Sequence, residues 1–186
     1  MTARFARLVA LASVLAGARV PATATAIESQ RCDGFSQTPG QIGGIHFRPS
    51  PLRRNVVFPK LGGTRLTLAG LVLTTACTPV RHARLDFWQA DAQGHYDDTG
   101  FRLRSHQFTG TDGRYSLETI VPGPYPGRTP HIHAKLNAPG KSTLTTELYF
   151  PGASYNIRDP YFDRRLLVRL SEVKKHFVAH FDFVLR

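Results

Sequence analysis

From Leu66 onward, apolar residues recur at every second position. Leu66, Leu68, Gly70 and Val72 alternate with their neighbours, as do Ala83, Leu85 and Phe87, then Tyr115, Leu117, Thr119 and Val121. The same spacing runs through Ile132, Ala134 and Leu136, through Leu144, Thr146, Leu148 and Phe150, and through Phe177, Ala179, Phe181 and Phe183. A period of two puts each set on one face of a strand, so these segments read as strands with one buried side. Turn signals separate them, such as "TDGRY" at 111–115. The pattern predicts an all-β chain folded as an antiparallel β-sandwich with little helix. Residues 160–175 alone suggest a short helix, through Leu166, Leu167 and Leu170. Residues 27–63, rich in Gly, Pro and Arg and without alternation, read as an irregular N-terminal arm packed on the core. Residues 64–186 form the sandwich, with no internal repeat.

The first 26 residues look different. Arg4 and Arg7 precede a short apolar run, Leu8 to Ala16, too short to span a bilayer, and "ATA" at 24–26 offers small residues for cleavage. This is a signal-peptide pattern, so export to the periplasm or beyond the cell is expected. No other stretch is long and apolar enough to cross a membrane. The 186 residues carry a formal net charge of +11, and the leader holds three arginines and no acid. The remaining Lys and Arg are scattered, without a dense basic tract, which argues against a nucleic-acid partner. In an oxidising compartment the two cysteines, Cys32 and Cys77, could pair, but sequence does not show whether they approach.

The candidate chemistry lies in "PGPYPGRTPHIH" at 122–133. His131 and His133 share one face of their strand, opposite Ile132 and Ala134, and so are not ordinary core histidines. Prolines and glycines stiffen the segment that carries Tyr125 and Arg128 toward them. A second stretch, "WQADAQGHYDD" at 88–98, turns at Gly94 and offers Tyr96 from a loop, while Trp88 reads as core packing. Histidine serves many metals, but a phenol with a pKa near 10 yields its proton best to a hard trivalent cation. Two phenolates and a hydroxide neutralise Fe(III). A catechol dianion balances it equally well if one tyrosine leaves as neutral phenol.

With those residues in place, the sequence resembles the intradiol ring-cleavage dioxygenases, which include the catechol and protocatechuate enzymes. The resemblance rests on "TPGQIGG" at 38–44, "LDFWQADAQGHYDD" at 85–98, "FRLRSHQFTGTDGRYSLETIVPGPYPGRTPHIH" at 101–133, "LTTELYFPG" at 144–152 and "FDFVLR" at 181–186. It implies a β-sandwich holding non-haem Fe(III) on Tyr96, Tyr125, His131 and His133. It makes Tyr125 the ligand that leaves when a catechol chelates the iron, and Arg128 the active-site arginine that stabilises charge developing on the ring. The implied reaction joins a small catecholic substrate and O2 into a cis,cis-muconate-type product.

Two departures stand out. Glu147 replaces the glutamine usual in that family and is expected to border the substrate. "GGIHF" at 43–47 replaces an "EGPFY"-like stretch. No long helical N-terminal region of the kind that builds the catechol dioxygenase dimer is present, and the oligomeric state stays open. The alternative reading is a non-catalytic module that binds ferric iron or a catecholate.

Overall fold

The computed structural model describes residues 36–51, 53 and 62–186. The proposed leader, Cys32 and most of residues 52–61 lie outside the described residues. Cys77 is disulfide-bonded.

Among the described residues, nine strands account for nearly all the regular structure: β1 (Arg65–Thr74), β2 (Arg84–Gln89), β3 (Arg104–Phe108), β4 (Arg114–Ile120), β5 (His131–Asn137), β6 (Leu144–Tyr149), β7 (Arg169–Val173), β8 (His176–His180) and β9 (Phe183–Leu185). They form two sheets, one ordered β4-β1-β8-β7 with β9 also on β1, the other ordered β3-β2-β5-β6. The alternating residues meet between the sheets. Leu66, Leu68, Leu117 and Ala179 from the first pack with Leu85, Ile132, Leu136, Leu144 and Leu148 from the second in one buried cluster. Fully burying a leucine or isoleucine side chain stabilises by about 1.5–3 kcal/mol, so this shared face holds the two layers together.

Pairing is antiparallel throughout the second sheet, but β1 pairs in parallel with both β8 and β9. The expected helix over 160–175 is absent. One turn of 3-10 helix at Arg164–Leu166, capped by the Asp163 carboxylate, leads into extended chain and then β7. Leu166 and Val168 are buried while Leu167 bridges Tyr149, so the segment follows a period of two. Leu166 and Leu170 fit both a helical and an alternating template, and packing on Tyr149 decides between them.

Residues 36–51 contain no strand and are tied down by their backbone. Thr38 N–H donates to Val184 O (3.1 Å), Gln41 N–H to Thr145 O (2.7 Å), and Thr146 Oγ1 to Pro39 O (2.8 Å). No helix among the described residues is long and apolar enough to cross a membrane.

Candidate metal centre

The site lies on the outer face of the second sheet, away from the core. The pairing registers set Arg104, Trp88, His133 and Glu147 in one row across β3, β2, β5 and β6. Directly paired residues on neighbouring strands project to the same side, so the row delivers four large polar or aromatic groups to one strip. His131 is paired with Tyr149 two residues along. Both histidines are nearly inaccessible, at 2% for His131 and 1% for His133. Loops and the N-terminal segment roof them.

Two of those loops carry the tyrosines. Tyr125, Pro126, Gly127 and Arg128 form a tight turn closed by Arg128 N–H to Tyr125 O (2.9 Å). Pro126 takes the second position and Gly127, at φ +80°, the third, as a type II turn requires. The turn brings the Tyr125 phenol and the Arg128 guanidinium together, with Nη1 donating to Tyr125 Oη at 3.2 Å. The other loop is braced by Asp91, whose carboxylate accepts from Gln93 N–H and His95 N–H. Gly94, at φ +85°, approaches the Tyr125 loop so closely that a Cβ there would lie 2.1 Å from Pro124 O. A side chain at 94 would push the two tyrosine loops apart.

Tyr96 Oη stands 3.4 Å from His131 Nε2, which is 3.2 Å from His133 Nε2. The Tyr96 and Tyr125 rings are 5.6 Å apart, and Tyr125 is 5.7 Å from His131, measured between ring centroids. The four residues singled out by sequence therefore converge. His131 Nδ1 faces Thr129 O at 2.7 Å. A carbonyl only accepts, so Nδ1 carries the proton and Nε2 turns a bare lone pair into the cluster. Two donors about 2.1 Å from one cation, at roughly a right angle, stand about 3 Å apart, which is the spacing seen here. Burial pushes the Tyr96 and Tyr125 phenols up and the His131 and His133 imidazoles down. The histidines are thus neutral and ready to donate, while the phenols give up their protons only to a strong cation. This set of two oxygens from half-buried phenols and two nitrogens from buried imidazoles fits a hard trivalent ion. Glu147 also brings a ligand atom within 4.8 Å of those of the two histidines, but it approaches His133 from the Nδ1 side.

Arg128 is the electrostatic hub. Its Nε donates to both carboxylate oxygens of Asp159 (3.1 and 3.0 Å), and its Nη2 to Glu147 Oε2. Burial opposes its charge, but Glu147 and Asp159 outweigh that and hold it above the ordinary arginine value. Two buried carboxylates around one guanidinium leave this corner net negative. Glu147 itself is fully buried, so it meets the site through Arg128, Tyr149 and His133.

Several supporting residues escaped the sequence reading. Trp88 is more than core packing: its indole stacks on His133 at 4.7 Å and 3°. His46, within "GGIHF", stacks on Tyr96 at 4.0 Å and 4° and is held by Asp98 (2.9 Å). Arg104, 1% exposed, ties the arm to the Tyr96 loop through His46 O (2.5 Å) and Asp97 O (2.9 Å).

Asp97 fixes the far side of that loop. Its carboxylate accepts from Gly100 N–H (2.7 Å) and Arg102 N–H (2.9 Å). The Arg102 and Gly100 bonds pull its pKa from 3.8 down to about 2. A carboxylate held low stabilises the fold above its unfolded value and loses that contribution as pH falls through the folded one. Asp97→Asn is therefore expected to cost about 1 kcal/mol at pH 7, the low end for hydrogen bonds to a partly solvated charge. Urea unfolding should show that difference shrink between pH 4 and pH 2.

The sequence profile of the family described as Dioxygenase matches residues 52–186. The chain belongs to the intradiol ring-cleavage dioxygenases. Among relatives of this family, the protocatechuate 3,4-dioxygenase beta chain of Burkholderia cepacia is 34% identical over 153 residues, covering 67% of this chain and 65% of the relative. The hydroxyquinol 1,2-dioxygenase of Nocardioides simplex is 35% identical over 115 residues, covering 50% of this chain and 39% of its own. The chain thus spans between 39% and 65% of the length of these two curated relatives. Among solved structures, the dioxygenase domain of a dioxygenase–carbohydrate-binding protein fusion from Streptomyces sp. SirexAA-E is 48% identical with a TM-score of 0.77, covering 80% of this chain and 97% of that domain. The 3-chlorocatechol 1,2-dioxygenase of Rhodococcus opacus 1CP is 27% identical with a TM-score of 0.75, covering 80% and 71%.

Proposed function

We propose that this protein is a non-haem Fe(III) intradiol dioxygenase that cleaves a catechol with O2 to a cis,cis-muconate-type product. The observation that carries the reading is the convergence of Tyr96, Tyr125, His131 and His133, two half-buried phenols beside two buried imidazoles. Ferric iron held there would supply a Lewis acid that draws electron density from a chelated catecholate and opens the ring to O2.

The protein residues divide the remaining work. His131 and His133 give neutral nitrogens without releasing a proton. Tyr96 is clamped under His46, whereas the Tyr125 ring sits on a turn whose Pro124, Pro126 and Gly127 are exposed. Tyr125 can therefore move without unpacking the core, and its Oη can take a proton from an incoming catechol hydroxyl. Arg128 Nη1, which donates to Tyr125 Oη before that movement, would then be free to stabilise negative charge developing on the ring. His46 and the two tyrosine loops cover the two histidines, which limits water at their nitrogens.

The net-negative corner around Arg128 makes a substrate carboxylate unwelcome, because like charges repel strongly in a poorly solvated site. Neutral catechols should be preferred over protocatechuate. Glu147→Gln removes one of the two carboxylates and should move the kcat/KM ratio toward protocatechuate; a ratio does not depend on iron occupancy.

The test is an oxygen-electrode panel of iron-loaded protein against catechol, hydroxyquinol and protocatechuate. Uptake of one O2 per catechol or hydroxyquinol, with a ring-opened diacid as product, is expected. Iron-loaded protein that consumes no O2 with any of the three would leave only a binding role. The leader-like residues 1–26 support export, and mass spectrometry of secreted material should find a chain beginning near Ile27.

A further inference from the structure

The guanidinium of Arg128 has two aromatic neighbours. Its Cζ is 5.9 Å from the ring centroid of Tyr125 and 4.7 Å from that of Tyr161. Arg128 is buried, whereas Tyr161 is 40% exposed. The Tyr161 backbone is fixed from both sides. Its N–H donates to Asp159 Oδ1 (2.9 Å), and its carbonyl accepts from Tyr149 Oη (2.8 Å) and from Gln41 Nε2 (3.0 Å). All three bonds are made by the main chain of residue 161, so the backbone places the ring.

Gln41 ties this residue to the N-terminal arm. Three residues further along, the arm reaches His133: a Cβ on Gly44, at φ +65°, would lie 3.5 Å from His133 Cε1 and 3.7 Å from its Nε2. The stretch 41–44 thus runs from Tyr161 to a metal-facing nitrogen, and glycines at 43 and 44 leave the space beside that nitrogen unfilled. The two segments are also rich in exposed apolar side chains. Of the six large exposed ones among the described residues, Ile42 and Ile45 belong to the arm, and Ile157 and Tyr161 to the segment that carries Asp159. Single exposed apolar residues are ordinary, but their concentration beside a buried polar site marks a surface that binds.

We infer that Tyr161 is a specificity-determining residue that selects catechols bearing an uncharged aromatic substituent, which presumes the catechol site proposed above. The two hydroxyls of such a substrate face the tyrosine and histidine donors. A group across the ring from them points away from the centre, toward the open edge that Tyr161 borders. There an aromatic group can meet the exposed part of the Tyr161 ring edge to face, a contact favourable beyond the area it buries. An anionic substituent gains nothing from that contact and is repelled by the carboxylates of Glu147 and Asp159 around Arg128.

Visible titration of the Fe(III)-loaded full chain without oxygen reads binding apart from turnover. 4-Phenylcatechol should bind about 3–10-fold more tightly than catechol, the gain expected of one aromatic pair. Tyr161→Ala should bring that ratio close to one, and Tyr161→Phe should keep it. The alanine variant retains every main-chain bond of residue 161, and Tyr161→Leu, which keeps an apolar cover on Arg128, should lower the ratio in the same way. Because both catechols meet the same iron in each variant, the ratio is independent of iron occupancy. A ratio that is the same in wild type, Tyr161→Ala and Tyr161→Leu would overturn the inference, as would wild type that binds the two catechols equally. A wild-type spectrum that responds to neither catechol would instead sink the proposed iron site.

Discussion

Arg128→Ala is expected to lower kcat by about 100-fold or more while changing substrate KM much less. Removing one well-placed electrostatic contact costs that much when the contact strengthens toward the transition state. The guanidinium touches Tyr125 Oη at the edge of the proposed iron site, yet Asp159 and Glu147 more than offset its charge, so it adds little to ground-state attraction. The substitution also strands two buried carboxylates, an imbalance worth about 3–5 kcal/mol of stability. Arg128→Lys separates the effects. It keeps the charge but lacks the planar group whose three nitrogens reach Asp159, Glu147 and Tyr125 at once, so it should fold better than the alanine variant and still turn over slowly. Steady-state kinetics beside thermal unfolding would check this, and wild-type kcat in Arg128→Ala would remove Arg128 from the chemistry.

The second large effect concerns the metal. His131→Ala should abolish ferric-iron retention, a greater loss than the about 10–100-fold that follows removal of an outer hydrogen-bond partner. His131 Nε2 is the point from which both Tyr96 Oη and His133 Nε2 are reached within 3.4 Å, so its removal opens the middle of the donor set. Iron content after desalting would measure it. Full occupancy in the variant would move the metal elsewhere.

The alternation of Ile132, Ala134 and Leu136 against His131 and His133 carried much of this architecture in the sequence itself, because period two alone divides core from site. The turn at 125–128 was equally readable, since proline and glycine have narrow backbone roles. Partners distant in sequence were not. Asp159 lies 31 residues from Arg128 and belongs to an irregular segment with no pattern. Trp88 looked like core because an aromatic at a strand end usually is, and only the β2–β5 register reveals its stack on His133. His46 sits in an arm without periodicity, so nothing local announces that it covers Tyr96. Glu147 was visible as a departure from a familiar motif, but its burial beside Arg128, His133 and Tyr149 depends on β6 pairing with β5. The parallel pairing of β1 with β8 joins segments more than a hundred residues apart and leaves no local signature.

Tyr96 and Tyr125 are expected to bind ferric iron as phenolates beside His131 and His133. Visible absorption of the Fe(III)-loaded protein tests it most directly, with Tyr96→Phe and Tyr125→Phe measured alongside. The wild-type protein should be coloured, with a tyrosinate-to-iron band that weakens or shifts in each variant and changes again when catechol is added without oxygen. A colourless iron-loaded protein, or a band that neither tyrosine substitution alters, would contradict it.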